Sequence, residues 1–376
     1  MSTTNPSPSP GGRNRASAAA HAHDAAVPAH EAPARVGQDG RASRRAWRPA
    51  GGAAVAITAA TAALFLVSLF VQPQSVSHSS LTGMLPFAAV LAIVAVGQTL
   101  IIQQGGIDLS VPGMVSLTVV VMTHVPDGDS SKVVPAIALA LALTLAAGLL
   151  AGVLVSYVGI TSIVTTLGMN ALLLGGVLEI SGGGPRQTTE GLQDFATGTV
   201  ALGITTPVVV AIALTGVVWF VIKRTVVGRR FEAVGASARA ARAAGLAPVR
   251  HQIGAYVGAA ACYCVAGILL AGIVKTPGVY QGEAYLLPSV AAVVLGGTSL
   301  LGGRGSVVAS AIAALFLSQL DQLVMTTGVS SAVQNLVQAA ALAVGIAVHS
   351  VPWARLRERL QRRDPAPAPP SGAPAG

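Results

Sequence analysis

Long apolar runs separated by short polar stretches fill the chain between about residues 53 and 351. A bilayer is crossed by about 20 consecutive apolar residues in a helix. On that criterion the runs predict ten membrane segments, at 53–72, 81–102, 109–125, 134–158, 160–180, 206–222, 252–274, 288–301, 305–326 and 332–351. Several are crowded with Ala and Gly, as in "ALALALTLAAGLLAG" and "YVGAAACYCVAGILLAG". Small residues let helix backbones approach closely in a membrane, so the pattern predicts a compact bundle. The expected fold is an all-α polytopic membrane protein of about ten transmembrane helices.

Two places interrupt the pattern. The first is "QQGGIDLSVPG", 103–113, and the second is "VVLGGTSLLGGRGSVV", 293–308. In the first, Gly105 and Gly106 are expected to end one helix, and Asp108 or Ser110 to begin the next. Pro112 then falls in the first turn, where its missing N–H does no harm. A carboxylate at that position favours the positive end of the helix, so Asp108 is read as a cap rather than a catalytic charge. In the second stretch Gly296, Gly297, Gly302 and Gly303 break the helix. Paired broken segments point to a solute pathway. Gln98, Ser110, Asn170 and Thr298, polar in apolar surroundings, are candidates for hydrogen-bonding a solute there.

Composition agrees with the pattern. The chain is 52% hydrophobic and 10% charged, with a mean hydropathy of +0.67. Soluble domains carry about 25% charged residues, which excludes an ordinary soluble domain. The net charge of +9 is concentrated in blocks. Residues 1–50 hold seven Arg against three acids, 223–250 seven Lys/Arg against one, and 352–364 five Arg against two. Such blocks mark cytoplasmic segments, and an even number of spans puts both tails and 223–250 on that side. The acidic "PDGDSSK" (126–132) and the loop 181–205 fall outside. The charge thus reports orientation rather than a nucleic-acid partner. Residues 1–50 and the stretch 353–376, basic then Pro-rich, are expected to be disordered cytoplasmic tails around a membrane domain at 51–352.

The segment 223–250 is too long for a tight connection. Within it "SARAARAAG" has Ser237 as an N-cap and Gly245 as a stop, predicting a helix of about two turns outside the membrane. Isolated helices this short are marginal, so it must dock on something. A cytoplasmic protein partner and anionic lipid headgroups both suit its Arg239 and Arg242.

Some chemistries are excluded. No lysine follows a glycine, so the phosphate-binding motif GxxxxGK[ST] is absent. The histidines lack metal-ligand spacing, and Cys262 and Cys264, two apart on a helix, point to different faces. No nucleophile, base and acid fall together, so no enzyme activity is expected. An ion-coupled carrier or a channel is the rival reading. It would rely on Asp108, Glu179, Arg304 or Asp321 at membrane depth.

Several strings, in order, resemble the simple-sugar (ribose/xylose/galactose-type) permease family of bacterial ABC importers. They are "QGGIDLSVPG", "VTTLGMNALLLGG" (164–176), "GRRFEAVGASARAARAAGL" and "AAVVLGGTSLLGGRGS" (291–306), and the likeness spans roughly 60–350. The chain departs from that pattern at Pro112, at Ser237-Ala238-Arg239 and in "GEAYLLPS" (282–289), which leaves the solute open. The resemblance implies a permease subunit in the cell inner or plasma membrane with a cytoplasmic coupling helix. Gly235, Ser237, Ala241, Arg242 and Gly245 would make the coupling contact. It also implies a second permease copy, identical or homologous, two cytoplasmic ATP-binding subunits and an extracytoplasmic solute-binding protein. The chain itself would hold no cofactor, ATP being bound by the separate subunit.

Overall fold

In a computed structural model, the structure describes residues 51–201, 203–328, 330 and scattered positions between 332 and 343. Both expected tails, and most of the tenth predicted segment, lie outside the described residues. The described chain is helical but for one short hairpin, so the all-α reading stands.

Seven helical stretches are long and apolar enough to cross a membrane. They contain α1 (Gly51–Val71), α2 (His78–Gln103), α4 (Val133–Val153), α5 (Ser162–Ser181), α7 (Thr206–Arg224), α10 (Pro248–Ile273) and α12 (Val307–Thr326). A five-residue π turn, Leu154–Val158, prolongs α4 and stops at Gly159. Two of the predicted segments come out shorter than a bilayer. The segment at 109–125 is α3 (Val111–His124), whose 14 residues rise about 21 Å. The segment at 288–301 is α11 (Leu286–Leu295), ten residues that follow a 3-10 turn, Gln281–Tyr285. Both fall below the ~30 Å of a hydrocarbon core. Ser110 and Pro112 fix the late start of α3, and Gly296 and Gly297 stop α11 early.

α3 is interior, whereas α11 buries mainly Ala291 to Val294 and exposes Leu287. Every residue of α3 from Val111 to Thr123 is buried, as is every residue of α2 from Ala88 to Gln103. α10 packs on α2, α3 and α4, and α12 packs on α1, α2 and α11. Small residues make these contacts possible. A Cβ on Gly148 of α4 would lie 2.6 Å from the Ala260 methyl of α10. Cys262 and Cys264 are free and buried, filling space as small apolar groups, with Cys262 against Gly97 of α2. The outer helices carry large exposed apolar side chains instead, among them Val134, Leu172 and Phe220. With lipid tails as the solvent, that arrangement needs no polar surface.

Two features escaped the sequence pattern. The loop 181–205 contains α6 (Glu190–Thr197), which buries Leu192 and Ala196, and a hairpin pairing Thr199–Ala201 with Ile204–Thr205. The basic loop contains two helices rather than one: α8 (Val226–Ala236) and α9 (Ala238–Ala243).

Candidate translocation and coupling site

Between α2 and α3 the chain is irregular from Gly106 to Ser110, deep among the helices. The Gly106 amide still bonds to the Ile101 carbonyl of α2, but the amides beyond it have no helical partners, and in an apolar interior each unpaired one is costly. One face of α5 supplies the partners. Ser162 Oγ accepts from the Ile107 amide at 3.2 Å and donates to its carbonyl at 2.7 Å. Thr166 Oγ1 accepts from the Leu109 amide at 2.9 Å, and Asn170 Oδ1 from the Gly113 amide at 2.8 Å. Two residues of extended chain and one four-residue step along a helix each advance about 6 Å. The register therefore fits from Ile107 to Leu109. Tyr256 of α10 meets the Ser162 hydroxyl at 2.7 Å and closes this end.

The inner side of the same segment is tied to α2. Asp108 is 1% exposed. Its Oδ1 accepts from the Ser110 amide at 2.8 Å and the Ser110 hydroxyl at 2.5 Å. Gln98 donates from Nε2 to the Asp108 carbonyl at 3.3 Å, and its Oε1 accepts from the Tyr263 hydroxyl at 2.8 Å. The carboxylate thus shapes the turn into α3, whose N-cap is Ser110. Gln98 and Ser110, both candidates for solute contact, have these hydrogen-bonding groups engaged within the chain. Asn170 spends its oxygen on Gly113, and no bond from its amide nitrogen occurs among the described residues. Gly282, at the turn before α11, donates to Ser116 of α3 at 2.9 Å. The N-terminal parts of both short helices therefore meet inside the bundle.

The second broken stretch closes on the end of α2. Gly303, in the left-handed region at φ +75°, donates to the Gln103 carbonyl at 2.8 Å. Gly297 and Gly302 are also left-handed, at φ +78° and +86°, as is Gly105 at +82°. Ser306 then starts α12, its hydroxyl accepting from the Ala309 amide at 3.3 Å. Thr298 is buried, its hydroxyl without a partner among the described residues.

The basic loop meets this same point. Thr225 caps α8 by accepting from the Gly228 amide at 3.2 Å, and Phe231 and Val234, one turn apart, bury their side chains. Gln104 Nε2 donates to the Phe231 carbonyl at 2.9 Å. Gly235 lies so close to the Gln103 carbonyl that any Cβ there would overlap it, and its own carbonyl abuts Gly302. Lys223 pairs with Glu232 at 2.5 Å, holding α7 to α8, and Arg224 lies 5.6 Å over the Trp219 ring.

α9 forms as its sequence dictates. The Ser237 hydroxyl accepts from the Ala240 amide at 3.3 Å, and Gly245, at φ +79°, ends the helix. Its faces differ: Ala241 is 4% exposed and turned to the chain's own bundle, while Ser237, Arg242 and Gly245 are exposed. Of the other ionisable candidates, Glu179 and Arg304 are exposed and Asp321 is partly buried. Among the described residues no three His, Cys, Asp or Glu side chains cluster as metal ligands would.

The sequence reading singled out neither Gln103 nor Gln104, nor the α5 ladder. The ladder had a visible signal, since Ser162, Thr166 and Asn170 recur every four residues on one helix face. Tyr256 and Tyr263 lie inside an apolar run and gave none.

Buried broken helices, an apolar exterior and a helical loop pinned to both breaks define a polytopic membrane permease. Residues 80–345 match the family described as the branched-chain amino acid transport system / permease component, and the chain belongs to that family. It is 32% identical over 280 residues to the ribose import permease protein RbsC of Escherichia coli K12, covering 73% of this chain and 87% of the relative. The corresponding Bacillus subtilis 168 protein is 32% identical over 286 residues, 75% of this chain and 88% of its own. The autoinducer 2 import system permease protein LsrD of Yersinia pseudotuberculosis IP 31758 is 30% identical over 282 residues, 73% and 84%. The likeness to sugar permeases read from the sequence thus stands. No solved structure matches the chain.

Proposed function

We propose that the chain is the membrane permease of an ATP-driven importer, carrying a sugar or similar small polar solute delivered by an extracytoplasmic binding protein. Two permease copies and two cytoplasmic ATP-binding subunits complete the assembly, with the termini and 223–250 in the cytoplasm. The junction of α8 with both broken segments carries this reading. A loop that served only to lie on lipid headgroups has no need of the Gly235–Gln103 approach or the Gln104–Phe231 tether. The relatives named as import permeases for ribose and autoinducer 2 support the solute class.

In this reading the exposed Ser237, Arg242 and Gly245 meet the ATP-binding subunit, while Gly235 and Ala241 face inward and pass its displacement to the bundle. Motion of α8 then shifts the end of α2 and the 296–306 turn together. Thr298, with an unpaired hydroxyl, and Asn170, with its free amide nitrogen, are the pathway groups with hydrogen bonds to offer. Gln98 and Ser110 become available only when their network opens. ATP is bound outside this chain, which performs no chemistry itself.

The test is uptake by right-side-out reconstituted vesicles holding the permease with the ATP-binding subunit and ATP inside and the solute-binding protein of the same transport system outside. ATP-dependent accumulation of a pentose or hexose supports the reading. Accumulation driven by an ion gradient without the ATP-binding subunit would replace it with a carrier.

A further inference from the structure

Gln103 is an anomaly. Its side chain is 1% exposed, yet among the described residues neither Nε2 nor Oε1 has a hydrogen-bond partner. Buried amides are nearly always paired, and one that is not marks stored strain or a functional site. The neighbourhood leaves it nowhere to turn. A Cβ on Gly305 would lie 2.5 Å from Gln103 Nε2, 2.8 Å from its Cγ and 2.8 Å from the Thr298 methyl. Thr298, whose methyl faces the same glycine, also has a hydroxyl without a partner among the described residues. Two orphaned polar side chains thus face the same glycine in the break between α11 and α12.

The main chain of the same residue is, by contrast, fully committed. The Gln103 carbonyl accepts from Gly303 at 2.8 Å and supports the close approach of Gly235. One residue therefore holds the inner end of α2, the second break and the basic loop by its backbone. Its side chain meanwhile sits in an unsatisfied position.

We propose that Gln103 is a positioning residue of the transport cycle, whose amide pairs with the Thr298 hydroxyl when the junction rearranges. The arrangement described here is then the strained one, and movement of α8 releases it. The proposal rests on the reading of α8 and α9 as the end on which the ATP-binding subunit acts. Gln103 itself touches neither that subunit nor solute in this account. Its backbone bonds do not depend on side-chain type, so substitution leaves the fold's connections in place.

Opposite signs in two measurements test the idea. Gln103→Leu and the more flexible Gln103→Met replace the unsatisfied amide by an apolar group of similar size. Purified permease carrying either should melt about 2–4 °C higher than wild type. In reconstituted vesicles the same variants should lose about two- to tenfold in ATP-driven uptake, the factor that one unmade hydrogen bond represents. Thr298→Val should lose uptake similarly, and Gln103→Leu combined with Thr298→Val should lose no more than either alone. A lower melting point in both Gln103 variants would show that the amide is satisfied, for instance by a trapped water, and would overturn the proposal. Unchanged uptake would do so too. Failure of the wild-type permease to accumulate any sugar with ATP would instead reject the importer reading, leaving the melting result to be judged alone.

Discussion

The amide of Gly303 donates to the carbonyl of Gln103 across 2.8 Å, joining the ends of the two broken segments. Gly235 closes on that carbonyl from the basic loop. Glycine is required at these points for two separate reasons. Gly303 has a left-handed backbone, and its missing Cβ makes room for Ala236, whose methyl a Cβ would approach at 2.9 Å. Gly235 needs only the space. In the proposed importer, a displacement of α8 would reach both breaks through one peptide group.

Gly303→Ala should therefore both destabilise the protein and abolish uptake. The backbone penalty is about 1–2 kcal/mol, and overpacking adds roughly 1–3 kcal/mol. Gly159→Ala is the control. It carries the same left-handed strain at φ +86°, with nothing within 4 Å of its Cβ. Thermal melting should register a loss in both variants, but uptake should survive in Gly159→Ala. Uptake surviving equally in Gly303→Ala would remove the junction from the mechanism.

Thr166→Val tests the ladder on α5. The substitution keeps the shape of the buried side chain and orphans the Leu109 amide, now bonded at 2.9 Å. A loss of about 1–3 kcal/mol is expected, the cost of a buried donor without a partner. Thr165→Val, on a hydroxyl with no partner among the described residues, should cost less or nothing. Equal melting shifts for the two would mean that the ladder does not hold the irregular segment.

Tyr263→Phe and Gln98→Leu address the network around Asp108. Each single change leaves one half of the 2.8 Å Tyr263–Gln98 bond unpaired. The two residues touch, so their effects should not add; a coupling of roughly 0.5–3 kcal/mol is expected in a double-mutant cycle of melting free energies. A coupling of zero would contradict the bond.

The two faces of α9 should behave differently. Ala241→Leu places a larger side chain where only 4% of the alanine is exposed, so it should lower stability as well as uptake. Arg242→Glu reverses a charge on the exposed side. It should leave melting within about 0.5 kcal/mol of wild type and still reduce uptake sharply when the ATP-binding subunit is present. Uptake by Arg242→Glu permease that falls in anionic proteoliposomes but stays intact in neutral ones would instead mark the loop as a lipid contact.

Much of this architecture was legible in the residues. The seven long spans follow from apolar length alone, and α9 from Ser237 and Gly245. The breaks at Gly105 and Gly296 were visible as glycine pairs. Their meeting was not, because a short-range pattern carries no information on which distant loops touch. The same limit explains α8: "VVGRRFEAVGA" buries only Gly228, Phe231 and Val234, a weak period that the basic residues obscure. Gln98 stood out as polar in an apolar run, whereas its partner Tyr263 blended into one. Gln103 sat beside the glycines that drew notice and looked like an ordinary helix end.

The central claim, that movement imposed on α8 from outside the chain opens a path for a neutral solute, is tested most directly by uptake in proteoliposomes of defined composition. With the solute-binding protein outside and the ATP-binding subunit exposed to ATP inside, labelled sugar should accumulate against its gradient. Accumulation should stop when ATP is replaced by a non-hydrolysable analogue, and an imposed proton or sodium gradient should not restore it. Accumulation that follows the ion gradient, and ignores ATP, would contradict the account.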